Sequence, residues 1–95
     1  MNVLAKRPIL QDFVLKRYEP QLGLYFFFNA KNKQTWSCPN YIGEVVSALE
    51  GDLSVLNIIN ILAENNTELE TQEIKKLFVP IFEFLFKEVF LANCY

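Results

Sequence analysis

The chain has 95 residues, 52% of them hydrophobic and 21% charged, with a net charge of -2 at neutral pH; such values belong to a folded globular domain and exclude a disordered segment. A chain of that length is expected to form one domain around a single core, with little left over for a second, and the small negative charge gives no general attraction to a phosphate backbone. Histidine is absent, which removes Ser-His-Asp and Cys-His nucleophiles and imidazole metal sites together.

In chain order, the first half reads as strands. Phe13 to Tyr18 alternates weakly and is followed by the turn signal Glu19-Pro20-Gln21. Leu22 to Phe28 is a continuous aromatic run, with Leu24, Phe26 and Phe28 on one strand face and Tyr25 and Phe27 on the other. The polar stretch Asn29 to Lys33 reads as a hairpin loop, returning the chain through Gln34-Thr35-Trp36-Ser37-Cys38. This third strand is expected to be an edge, with Trp36 toward the helices and Thr35 and Ser37 outward.

The second half reads as three helices. Pro39 suits a first helical turn, Ile42, Val45, Val46 and Leu49 repeat at helical spacing, and Gly51 supplies a left-handed stop. Ser54 is placed to cap a second helix carrying Val55, Ile58, Ile59 and Leu62, ending at Asn65-Asn66. The third begins between Thr67 and Gln72, with Thr67 and Glu70 at capping-box spacing and Thr71 a second candidate cap. It contains Pro80, which removes one backbone hydrogen bond and leaves the carbonyl of Lys76 without its usual donor. Strands first and helices after place the chain in the α+β class.

Glu73 to Leu91 carries more large apolar side chains than one buried face holds. Ile74, Leu77, Phe78, Ile81, Leu85 and Val89 form a stripe expected to face the core. Val79, Phe82, Phe86 and Phe90, topped by Lys75, form a second stripe about a third of a turn away, which either widens the core or lines a hydrophobic groove for a partner. No run reaches the roughly 18 uncharged apolar residues of a membrane span. Met1 to Arg7 is followed by Pro8 and Gln11-Asp12 where a signal would be apolar, so a cytoplasmic location is expected.

Cys38 and Cys94 lack metal-ligand spacing; Cys38 reads as a small buried or half-buried hydrophobe and Cys94 as part of a loose tail. Glu64, Glu68, Glu70 and Glu73 fall in a connector and a first helical turn, where acidic groups offset the helix dipole. Asn65-Asn66-Thr67 reads as a turn. No metal, cofactor or catalytic group is expected.

Three antiparallel strands followed by three helices, a winged-helix-like order, together with Arg7-Pro8-Ile9-Leu10 at the entry and Glu50-Gly51-Asp52-Leu53-Ser54-Val55 between two helices, resemble the PqqD-like family, the recognition elements of ribosomal peptide biosynthesis. Departures are Glu50 in place of the commoner aspartate, Cys38-Pro39-Asn40 at the first helix entry, and Val89-Phe90-Leu91 at the end. The resemblance implies a non-enzymatic domain that binds the leader segment of a precursor peptide along the third strand's edge, in the cleft between that strand and the third helix. It implies delivery to a separate maturation enzyme, by resemblance a radical S-adenosylmethionine enzyme.

On that reading the backbone of Gln34, Thr35, Trp36, Ser37 and Cys38 pairs with the peptide, Val79, Phe82 and Phe86 take its apolar side chains, and Lys75 and Lys76 meet its carboxylates. Two other readings remain: a winged-helix DNA-binding module, for which the third helix is poor in groove-reading donors, and a structural homodimer joined through its extra phenylalanines. The expected state is accordingly a monomer or a homodimer.

Overall fold

A computed structural model of the protein describes residues 2–65 and 70–94. A single 3-10 turn at Val3–Ala5 leads into β1 (Pro8–Leu10), and β2 (Val14–Glu19), β3 (Leu24–Asn29) and β4 (Thr35–Pro39) follow. Next come α1 (Asn40–Ser47), α2 (Val55–Asn65), α3 (Thr71–Lys87) and a short final strand β5 (Leu91–Asn93). The expected α+β order of a three-stranded antiparallel sheet followed by three helices is present, with sheet order β2-β3-β4.

The strand register explains the aromatic run of β3. Tyr18 pairs with Tyr25, Tyr25 with Cys38, and Phe27 with Trp36, so these side chains share the face that meets the helices. Ring centroids step along that face at 5.2 Å from Tyr18 to Tyr25, 5.8 Å to Phe27 and 5.6 Å to Trp36, within the range of favourable aromatic pairs. Phe27 is fully buried at their centre.

Asn29 organises the hairpin loop. Its Oδ1 accepts from the Lys31 and Asn32 backbone N–H groups, and Asn32 Oδ1 accepts from Gln34 N–H. Lys33 takes the left-handed conformation (φ 66°) that closes the turn.

Helix boundaries follow the local chemistry, with three differences from the sequence expectation. Pro39 is the cap residue before α1 and not part of its first turn. The helix ends at Ser47, so Gly51 (φ 83°) is not its stop. Gly51 instead lets the segment pass under the C-terminal strand, since a Cβ there would lie 2.5 Å from Cys94 Cβ. Ser54 caps α2 as expected, its Oγ accepting from Asn57 N–H at 3.1 Å. Thr71 is the first residue of α3, not its cap; Glu70 stands in the cap position with no side-chain bond, and Thr67 lies outside the described residues.

The end of α3 is closed by a Schellman motif: Phe90 N–H donates to Leu85 C=O at 2.9 Å and Val89 N–H to Phe86 C=O at 3.2 Å. Val89 holds the left-handed position (φ 63°) usually given to glycine, a conformation that costs a β-branched residue about 1–3 kcal/mol.

Sequence reading missed β1 and β5, which pair antiparallel as a second sheet, with Ile9 bridging to Glu50. Cys94, expected in a loose tail, is half-buried, and its N–H donates to Arg7 C=O at 2.8 Å. The core gathers Phe27 from the sheet, Ile42 and Val46 from α1, Val55, Ile58 and Ile59 from α2, and Ile74, Phe78, Phe82 and Leu85 from α3. Gly43 brings α1 onto the sheet: a Cβ there would collide with Cβ and the ring of Tyr25.

Candidate functional site: the cleft between β4 and α3

Among the described residues β4 pairs with β3 alone. Asn29 N–H donates to Gln34 C=O at one end of the pair, and Asn40 N–H to Gly23 C=O at the other. Antiparallel alternation then turns the backbone groups of Gln34, Trp36 and Cys38 toward β3, and those of Thr35 and Ser37 outward. Pro39, which falls on the outward parity, has no N–H to offer and ends the donor row. An extended segment therefore finds two residues' worth of donors and acceptors along this edge.

The wall facing that edge is α3. Trp36, Pro80, Ile81 and Phe84 line one depression of about 300 Å³. Leu77 (55% exposed) falls on the same helical face, one turn before Pro80 and Ile81, and Phe84 is 41% exposed. Exposed aromatic and aliphatic side chains beside an unpaired strand edge are the features of a strand-addition site, in which the backbone gives affinity and alternate side chains fill pockets.

This wall is not the stripe expected from the sequence. Phe82 is 1% exposed and lies in the core, which corrects its placement in the groove. Val79 and Phe86 are half-buried and pack against the core. Phe86 lines a different depression with Val3, Lys6, Glu83 and Lys87, under the Lys6 ammonium at 4.4 Å from its ring. By helical period Lys75 shares that far flank with Val79 and Phe86; Lys76 is exposed on the outer surface, one turn before Pro80. Of the expected core stripe, Leu77 and Val89 are exposed, while Ile74, Phe78 and Leu85 are buried.

On β4, Trp36 joins the cleft, Thr35 and Ser37 expose the free edge, Gln34 is engaged at the hairpin, and Cys38 is buried at 4% exposure. Burial pushes the Cys38 thiol from 9.0 up to about 11, because the thiolate loses its hydration there. The thiol is thus protonated at neutral pH and serves packing.

The residues missed are Leu77, Pro80, Ile81 and Phe84. Their spacing of i, i+3, i+4, i+7 was a detectable signal. The apolar arc of α3 runs from Pro80 round to Val79; its middle docks and both margins emerge, so the core face keeps Ile74, Phe78 and Leu85 of the expected stripe but is rotated toward Phe82 and away from Leu77.

Among the described residues no group of three or more acidic or cysteine side chains is placed to hold a metal ion, and no helix is long and apolar enough to cross a membrane. Comparison with protein-family models, with curated proteins and with solved structures returned no match.

Proposed function

We propose that the protein is a non-catalytic peptide-binding module that captures an extended segment by adding it to the edge of β4, with apolar side chains seated against Trp36, Ile81 and Phe84. The observation that carries this reading is the coincidence of the outward backbone groups of Thr35 and Ser37 with the apolar depression beside them. The resemblance to the PqqD-like family supplies the ligand class: the leader of a ribosomally synthesised precursor, passed in the cytoplasm to a separate maturation enzyme, by resemblance a radical S-adenosylmethionine enzyme. Burying one leader phenylalanine contributes about 2 kcal/mol, and two or three such anchors with strand pairing reach micromolar affinity after ordering costs.

The DNA-binding alternative fits less well. The outward positions of α3 do include the donors Gln72, Lys76 and Lys87, but Glu73 and Glu83 stand among them and repel phosphates, and Leu77, Pro80 and Phe84 offer base edges no donor. The test is selection of peptides from a random library displayed on phage, followed by amide exchange on the full chain with the selected peptide. Slowed exchange at Thr35 and Ser37 is the expected result. Selected peptides that leave both amides unprotected overturn strand addition at β4.

A further inference from the structure

Between Lys33 and Lys75 the sequence holds seven Asp or Glu residues and no Lys or Arg; the nine basic residues share the rest of the chain with four acidic ones. The fold gathers part of this acidic half around a second apolar site. Where the end of α1 and the following turn meet α2, Val45, Leu49, Ile58, Ile61 and Leu62 line a depression of about 200 Å³ whose one charged lining residue is Asp52. Ile61 is 43% exposed at its mouth, while Ile58 at 3% belongs to the core. Asp52 is exposed and makes no ion pair among the described residues.

We propose that this groove is a docking site for a basic amphipathic helix of a partner protein, with leucine-like anchors in the groove and a Lys or Arg against Asp52. The groove lies beside a helix, on the pattern of helix-in-groove recognition, where anchors at i, i+3 and i+4 lay one apolar face into the cleft. Charge selects the occupant: Glu44, Glu50, Asp52 and Glu64 are all exposed on α1, α2 and the segment joining them, and they outnumber the one cation seen bonded there, Lys16, whose Nζ donates to Ser47 C=O at 3.3 Å, so a basic helix is attracted and an acidic one repelled. The same charges disfavour an anionic lipid surface. The groove shares no residue with the β4–α3 cleft, so occupancy of one is a result separate from occupancy of the other.

The experiment is a titration of the isotopically labelled full chain, followed by amide chemical shifts. The probe is a synthetic helix of about 14 residues with leucines on one face and lysines elsewhere; a matched helix with glutamates in place of lysines is the control. Shifts clustered at Val45, Leu49, Asp52, Ile61 and Leu62 are expected, with no response to the glutamate helix. Ile61→Asp and Asp52→Lys should each weaken binding at least roughly tenfold, with Asp52→Lys leaving the thermal midpoint in place. Shifts confined to Thr35, Ser37 and Phe84, equal binding of the two helices, or undiminished binding to both variants overturns the proposal.

Discussion

Phe82 and Phe84 are two positions apart on α3, and truncating each to alanine separates core from cleft. Phe82 is 1% exposed, so Phe82→Ala deletes a fully buried ring and leaves a cavity that the packing around Phe27 and Leu85 fills only partly; the cost is about 3–5 kcal/mol. Phe84 is 41% exposed. Its ring buries a little over half of a side chain that contributes about 150–250 Å², and at about 25 cal/mol per Å² the loss beyond alanine is about 1–2 kcal/mol, including its stack on Phe90 at 6.4 Å.

A domain of this size loses about 4–8 °C of thermal midpoint per kcal/mol, so Phe82→Ala should lower the midpoint by roughly 12–40 °C and Phe84→Ala by about 4–16 °C. Calorimetry or a circular-dichroism melt reads both. For a peptide selected on the intact protein the order reverses: Phe84→Ala should weaken binding by about 1–3 kcal/mol, whereas the folded fraction of Phe82→Ala, measured well below its midpoint, should bind nearly normally. Equal destabilisation by the two substitutions, or normal peptide binding by Phe84→Ala, would refute the assignment of Phe84 to the cleft wall.

Ser37→Pro removes one outward N–H while leaving the inward bonds of Trp36 and Cys38, so it should cost little stability and reduce peptide binding at least roughly tenfold; retained affinity in a titration calorimeter would count against strand addition. Gly43→Ala places a methyl against Tyr25 and should lower stability by about 1–3 kcal/mol in urea unfolding, where an open helical glycine would gain about 1 kcal/mol. The raised pKa of Cys38 means the native state holds its proton more tightly than the unfolded chain, so the associated stability is complete below pH 9 and lost as pH rises from 9.0 through about 11. Other groups titrate in that window, so the measurement is the difference between wild type and Cys38→Ala, expected to change by up to about 3 kcal/mol; parallel stability curves would contradict it.

Much of this architecture was legible because local rules and tertiary packing agree. The aromatic alternation in Leu24–Asn29, the polar hairpin after it, and the cap at Ser54 each state their structure over a few residues. The sheet of β1 and β5 was not legible: Pro8–Leu10 and Leu91–Asn93 are three residues each and carry no periodicity, and their pairing joins opposite ends of the chain. The rotation of α3 was misread for a different reason. A helix apolar over so wide an arc does not announce its centre, and only the positions of Phe27, Ile42 and Ile59 across the core settle that Phe82 points inward and Phe84 outward. Val89 in a left-handed conformation was equally unreadable, because the Schellman closure is imposed by the burial of Phe90 and Leu91 beyond it.

The buried Asn29 and its neighbour Asn32 both donate through Nδ2 to the carbonyl of Glu88, each at 3.0 Å. The hairpin that leads into β4 is thereby tied to the C-terminal end of α3. This tie acts as a corner brace between the two walls of the cleft: their separation is set at that end before anything enters, and any widening has to pivot about it. On the proposed reading a guest strand would meet a slot whose width is already held at the braced corner and would lose less ordering entropy there than between walls that drift independently. Removing the brace would loosen the grip on peptide through the protein's own motion, with every residue that touches the peptide left unchanged.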